Sequence, residues 1–258
     1  MADIAPPACD PAVLARAEEL VEQAGALALQ GFRSGDLDTQ RKADGTVVTA
    51  YDRAVERLLR KGIASSFPDD GVLGEEEVEV AGTSGRRWIL DPIDGTAPYS
   101  RGIVTWGVLV ACEDRHGPLL GIAACPWADE TVSAGRGIGC RAGGHRAQVS
   151  GRASLEGALL VTSGIEWWPP GSFERVTAAG VTVRTWGNVY GLVLATSGRV
   201  DAVFDAGVKP WDIAPAPTLG TEAGGAFATL DGSGSIHSGS ALLCGEALLE
   251  PLLALLRG

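Results

Sequence analysis

Trp88-Ile-Leu-Asp-Pro-Ile-Asp-Gly-Thr-Ala-Pro-Tyr-Ser-Arg101 carries an apolar strand, Trp88 to Leu90, straight into two carboxylates, Asp91 and Asp94. Gly95 and Thr96 then mark a turn. Pro92 fixes its own φ and pushes Leu90-Asp91 towards extended geometry, so the two acids need not point apart as in a regular strand. Gly95 lets backbone approach a ligand closely, and exposed N–H groups at such a turn suit an anion. Carboxylates beside an anion repel it unless a divalent cation lies between them, and hard oxygen ligands suit Mg²⁺ or Mn²⁺. Taken alone, an Asp-x-x-Asp-Gly run reads more readily as an acidic surface turn.

Upstream, Gly71-Val-Leu-Gly-Glu-Glu-Glu-Val-Glu79 repeats the pattern: a short apolar strand ending in acids, Glu75 and Glu76. A run of acids is usually a solvated face, but two strand ends delivering carboxylates within one short span form a constellation. Before it, Asp10-Pro11 is a helix start, and Val13, Leu14, Ala17, Leu20, Val21, Ala24, Leu27 and Ala28 recur at helical spacing to an end near Gly31. A second helix begins with Thr49 as N-cap and Asp52 three residues on, in a capping-box arrangement. Asp52 reads most simply as that cap, with an active-site role as the sharper alternative.

Downstream, Thr105–Cys112, Leu119–Cys125 and Glu130–Ala134 form strands separated by turns, as in an antiparallel meander. The Gly/Arg-rich stretch Gly135–Arg152 is the expected boundary between an N-terminal α+β subdomain (1–145) and a C-terminal α/β subdomain (146–258). In the latter, strands at Ala158–Thr162, Val181–Thr185 and Val200–Phe204 alternate with helices, one of them over Val189–Ser197. Trp211-Asp212 opens a further helix through about Ala223, with Asp212 as its N-cap, Pro215 at a position that loses no intrahelical bond, and a first turn kinked or loosened by Pro217. Strands at Ala226–Leu230 and Ala241–Cys244 and a closing helix from Glu246 complete the pattern.

The chain has 258 residues, enough for a large core, and its net charge of −11 opposes a nucleic-acid surface. It does not oppose a phosphorylated substrate, because a metal supplies local positive charge. Met1–Asp10 shows neither a basic nor an apolar signal region, and no apolar run reaches membrane-spanning length, so a cytoplasmic protein without membrane contact is expected. Five scattered cysteines read as reduced thiols, and three separated histidines oppose a zinc site. Any chemistry here runs on carboxylates.

Gly74-Glu75-Glu76, Asp91-Pro-Ile-Asp-Gly-Thr96 and Trp211-Asp212-Ile-Ala214, in that order and spacing, resemble the three signature blocks of the inositol monophosphatase superfamily. Lys42…Asp44-Gly-Thr-Val-Val-Thr49…Asp52 is similar to that family's N-terminal segment. The resemblance implies an αβαβα layered sandwich of α+β and α/β character, a Mg²⁺-dependent phosphomonoesterase acting on a small phosphorylated metabolite, and a homodimer. It implies Glu75, Asp91 and the Ile93 carbonyl as ligands of one metal, with Asp91, Asp94 and Asp212 holding a second. Glu75 and Thr96, supported by Asp52, would activate water, and the Gly95 and Thr96 amides would hold phosphate.

Tyr99-Ser-Arg101-Gly102 is closer to the histidinol-phosphate phosphatase branch than to the inositol branch. Pro98 stands where the family usually has Asn, Asn188 where that branch often has Asp, and Asp205 where relatives place a substrate-contacting Glu. Asn188 and Asp205 are thus substrate-contact candidates, with helix-cap and strand-end roles as the alternatives. Trp127, Trp167 and Trp168 read as packing or as a wall of the site. The first expectation is hydrolysis of a small polyol, sugar or cyclitol phosphate; histidinol phosphate and a specialised-metabolite phosphate are the alternatives. A non-catalytic phospho-ligand binder is the competing class, and the presence of Glu75, Asp94, Thr96 and Asp212 opposes it.

Overall fold

The computed structural model describes residues 5–35, 37–43 and 45–258. Asp44 of the N-terminal motif and residues 1–4 lie outside the described residues. The Asp10 carboxylate caps α1 (Pro11–Ser34) by accepting the Ala12 amide at 2.9 Å. The helix passes through Gly31, where its end was expected, and stops at left-handed Gly35. Gly31 is a packing glycine: a Cβ there would strike the Tyr51 ring and the Tyr99 hydroxyl. After the small hairpin of β1 (Gln40–Arg41) and β2 (Val47–Val48), Thr49 and Asp52 close the expected capping box on α2 (Ala50–Ser66).

The first sheet contains β3 (Gly71–Gly74), β4 (Arg87–Asp94), β5 (Gly107–Asp114), β6 (Gly117–Cys125), β7 (Glu130–Gly135), β8 (Gly139–Ala142) and β9 (His145–Arg146), side by side in chain order. The β3–β4 pair is parallel and the rest are antiparallel. The short helix α3 (Thr96–Tyr99) follows β4. The 135–152 stretch is more than a connection, since β8 and β9 lie in it. These strands are short and mostly exposed at the sheet's edge, which leaves little alternation to read.

The second sheet has the order β11-β10-β12-β14-β13. It is built from β10 (Leu159–Val161), β11 (Thr182–Arg184), β12 (Ala202–Ala206), β13 (Ala226–Ala228) and β14 (Ser240–Cys244). Between and after them come α4 (Ser172–Ala178), α5 (Val189–Thr196), α6 (Pro210–Ile213), α7 (Ala216–Glu222) and α8 (Glu246–Arg257).

Burial explains the layering. On β5, Val108, Val110 and Cys112 pack with α1 and α2, whereas Leu109 packs with α5 and α7 on the opposite face. A strand buried on both faces is apolar without interruption, as Gly107–Cys112 is. Helix α5 is apolar all round because it is enclosed between the two sheets. Helices α4 and α8 cover the outer face of the second sheet around Phe204 and Leu252, completing five αβαβα layers. Phe204 is fully buried with its ring edge-on to Trp168. Phe204→Ala is expected to cost about 3–5 kcal/mol of stability, read by chemical denaturation.

The expected single helix from Trp211 is instead two helices. Pro210 takes the first helical position of α6, so Lys209 is the N-cap; Asp212 sits three residues on and accepts the Lys209 amide at 2.7 Å. The first helix stops after Ile213, and Pro217 falls in the first turn of α7, where no N–H is needed.

Candidate active site

Parallel pairing sets Gly74 beside Leu90, so Glu75 and Asp91 emerge from neighbouring strands at the same edge. The pairing of β4 with β5 slips between Asp91 and Asp94. Residues three apart on a regular strand face opposite sides. The slip brings both carboxylates to one place, where Asp212 of α6 joins them. Oxygens of Asp91, Asp94 and Asp212 lie within 4.8 Å of one another.

Burial pushes the Asp91 and Asp94 carboxyls well above the usual carboxylate range, and the neighbouring carboxylates push them further. Asp212 is raised chiefly by burial, against the lowering effect of the Lys209 amide. Asp91 Oδ1 is buried with no hydrogen-bond partner. Clustered hard oxygens and one unanswered buried acceptor fit a divalent cation. Glu75 faces the same cavity, but its Oε1 is paired with Lys42 Nζ at 2.6 Å, and Lys42 also reaches Glu76 at 2.5 Å. Burial raises Glu75 to about 7 despite Lys42.

Thr96 Oγ1 lies 2.8 Å from Asp52 Oδ1 and 3.0 Å from the Ile93 carbonyl. Both neighbours are acceptors, so the hydroxyl proton points into the protein and the lone pairs are left for another donor. Asp52 is fully buried; its other oxygen accepts the Thr49 amide and hydroxyl. Burial raises its carboxyl, and the Thr49 and Thr96 hydrogen bonds counter that shift. Gly95 has φ +83°, and a Cβ there would meet the Thr105 carbonyl and the Asn188 amide. Its close approach needs glycine twice over.

Two cavities meet at Asp94, Pro98, Asn188 and Asp212. The inner one, about 740 Å³, holds Glu75, Asp91, Gly95 and Thr96, with Arg41, Lys42, Arg101 and Lys209 in its lining. The outer one, about 390 Å³, carries Asp94, Glu166, Asp205 and Asp212 and no basic side chain among the described residues. Asp205 Oδ1 accepts the Ser163 amide at 2.6 Å, and burial raises its carboxyl. Trp167 is 67% exposed and lies over Gly207 as a wall of the outer cavity. Trp168 is buried against Phe204, and Trp127 packs on Tyr190.

Asn188 joins the two cavities. Its side-chain amide donates to the Thr105 carbonyl at 2.9 Å, a bond that an ionised Asp could not make. Next to it, the Val189 amide donates to Asp94 Oδ2. The structure thus brings Asp91, Asp94 and Asp212 together, with Glu75, Ile93, Gly95 and Thr96 around the same cavity, Asp52 behind Thr96 and Asp205 in the outer compartment. Sequence reasoning missed Glu166, which no local pattern marks, and the pairing role of Lys42.

The inositol monophosphatase family profile matches residues 10–257. A histidinol-phosphatase of Chlorobaculum parvum is 38% identical over 229 residues, covering 87% of this chain and 88% of that protein. One from Mycobacterium tuberculosis is 36% identical, covering 91% and 94%. The crystal structure of extragenic suppressor protein suhB from Bartonella henselae superposes with a TM-score of 0.87 at 26% identity, covering 95% of this chain and 98% of that one.

Proposed function

Because the chain belongs to the inositol monophosphatase family, and is a phosphoric monoester hydrolase, we propose that it is a Mg²⁺-dependent phosphatase of an alcohol bearing a positive charge, with histidinol phosphate as the foremost substrate. The observation that carries this reading is the outer cavity, where Asp205 and Glu166 stand beyond the metal-assigned Asp94 and Asp212 without a basic side chain among the described residues. A cation on the leaving alcohol answers that charge. The polyol or cyclitol ester expected first from the sequence would offer it hydroxyls alone. The names of the Chlorobaculum and Mycobacterium relatives support the same choice.

Asp91, Asp94, Asp212, Glu75 and the Ile93 carbonyl would hold Mg²⁺, or Mn²⁺ in its place, which when bound neutralises phosphate oxygens and makes water more acidic. The Gly95 and Thr96 amides donate to the phosphate. The Thr96 lone pairs accept a hydrogen bond from the attacking water, and Asp52 fixes the hydroxyl's direction. Glu75 takes the water proton as the new P–O bond forms and the bond to the alcohol breaks; solvent protonates the departing oxygen. Asp205 and Glu166 hold the alcohol's cation, with Trp167 beside it. No helix among the described residues is long and apolar enough to cross a membrane, and all five cysteines are buried free thiols. A cytoplasmic homodimer belongs to the same proposal.

The test is phosphate release from histidinol phosphate, inositol phosphates, hexose phosphates, AMP and fructose bisphosphate, in Mg²⁺ and in EDTA. The expected result is kcat/KM for histidinol phosphate at least about tenfold above every neutral-alcohol ester, lost in EDTA. A preference for inositol phosphate would refute the charged-alcohol reading. Asp205→Asn is expected to raise KM for histidinol phosphate about tenfold and leave KM for inositol phosphate in place. An equal change for both would return Asp205 to a purely structural role.

A further inference from the structure

Helix α2 carries two fully buried carboxylates one turn apart, Asp52 and Glu56. Asp52 reaches Thr96 after β4. Glu56 reaches the other acid-bearing strand end, after β3. Its Oε2 accepts the Glu76 amide at 2.7 Å and its Oε1 the Glu77 amide at 3.0 Å. Arg60 Nε donates to Oε1 at 2.8 Å, and its Nη2 donates to the Glu77 carbonyl at 2.9 Å. A helix side chain therefore holds the peptide groups that directly follow Glu75. Gly74 makes room for it, since a Cβ there would run into the Glu56 carboxylate.

We infer that Glu56 is a positioning residue that, through the amides of Glu76 and Glu77, fixes the turn presenting Glu75 to the Asp91–Asp94–Asp212 cluster and so sets its affinity for a divalent cation. The inference rests on the reading of that cluster as a cation site. A partner for Arg60 alone would need one carboxylate oxygen; Glu56 spends both on the turn. Fixing a ligand's backbone governs affinity because a ligand that must first be ordered binds more weakly.

Asp70 supplies the control. It is a buried carboxylate at the opposite end of the same strand pair, accepting from Trp88 Nε1 at 2.9 Å and pairing with Arg86 at 3.0 Å. It carries a comparable structural burden away from the cluster.

The experiment is calorimetric titration with Mn²⁺, without substrate, of the wild type, Glu56→Gln, Gly74→Ala and Asp70→Asn, each with its melting temperature. Glu56→Gln and Gly74→Ala are expected to bind Mn²⁺ about tenfold more weakly or worse, while Asp70→Asn melts lower and binds as the wild type does. Equal affinity in Glu56→Gln and wild type would overturn the inference. So would an affinity that falls in step with melting temperature across all variants. A wild type that binds no Mn²⁺ would overturn the cation-site reading and this inference with it. Should Glu56→Gln fail to fold, amide exchange on the wild type decides: protected Glu76 and Glu77 amides support the role, and exchange at the rate of unstructured chain refutes it.

Discussion

Asp94→Asn is expected to lower Mg²⁺-dependent phosphate release about 10²–10³-fold, yet raise the melting temperature of the metal-free protein by roughly 2–6 °C. Both effects have one cause. Asp94 is pushed up by burial and by Asp212, so ionised together the cluster destabilises the empty site. Asparagine removes that charge, and its carbonyl oxygen still accepts the Val189 amide that binds Asp94 Oδ2. In saturating Mg²⁺ the order reverses. The wild type gains about 2.7 kcal/mol at a metal concentration 100 times Kd, and the variant forgoes most of it. Calorimetric scans in EDTA and in Mg²⁺, beside a phosphate-release assay, read all three effects. A variant that is inactive and also less stable in EDTA would mean that Asp94 is a structural acid.

Thr96→Ala is expected to lower kcat about 10²-fold while leaving the Mg²⁺ concentration for half-maximal activity unchanged. The hydroxyl lies outside the Asp91–Asp94–Asp212 cluster, and the task proposed for it is direction. Fixed between Asp52 Oδ1 and the Ile93 carbonyl, it has one orientation to offer a water, and alanine offers none. Thr96→Ser keeps the oxygen and should keep most of the rate. A large rise in the Mg²⁺ requirement with kcat retained would assign Thr96 to the metal and refute the water-positioning role.

Some of this was legible in the sequence, and the limits have physical causes. Asp91 and Asp94 stood out because Pro92 and Gly95 are strong local constraints. The capping box at Thr49 and Asp52 was equally local, and so were the meander strands, whose apolar runs are long. Helix α4 escaped because it is short, starts after a left-handed Gly171 with no side-chain cap, and buries only Ser172 and Val176. Asp212 was misread as an N-cap because the preference for Asp was weighed without Pro210, which claims the first helical position. Glu56 lay within reach, one turn from Asp52, but its partners come from residues 20 and 21 positions away. Glu166 joins Asp205 only through tertiary folding, which no window of sequence contains.

The hydrogen bond from Val189 to Asp94 has a consequence for the order in which the molecule is assembled. Asp91 and Asp94 arrive with the first sheet, Asp212 with α6 after β12, and the amide that steadies Asp94 with a helix enclosed by both sheets. A nascent chain that has completed only its first 146 residues holds two of the three clustered carboxylates and lacks that amide. On the proposed reading of the cluster as a cation site, capture of the ion would wait until both halves have docked, and a bound ion would report that they have.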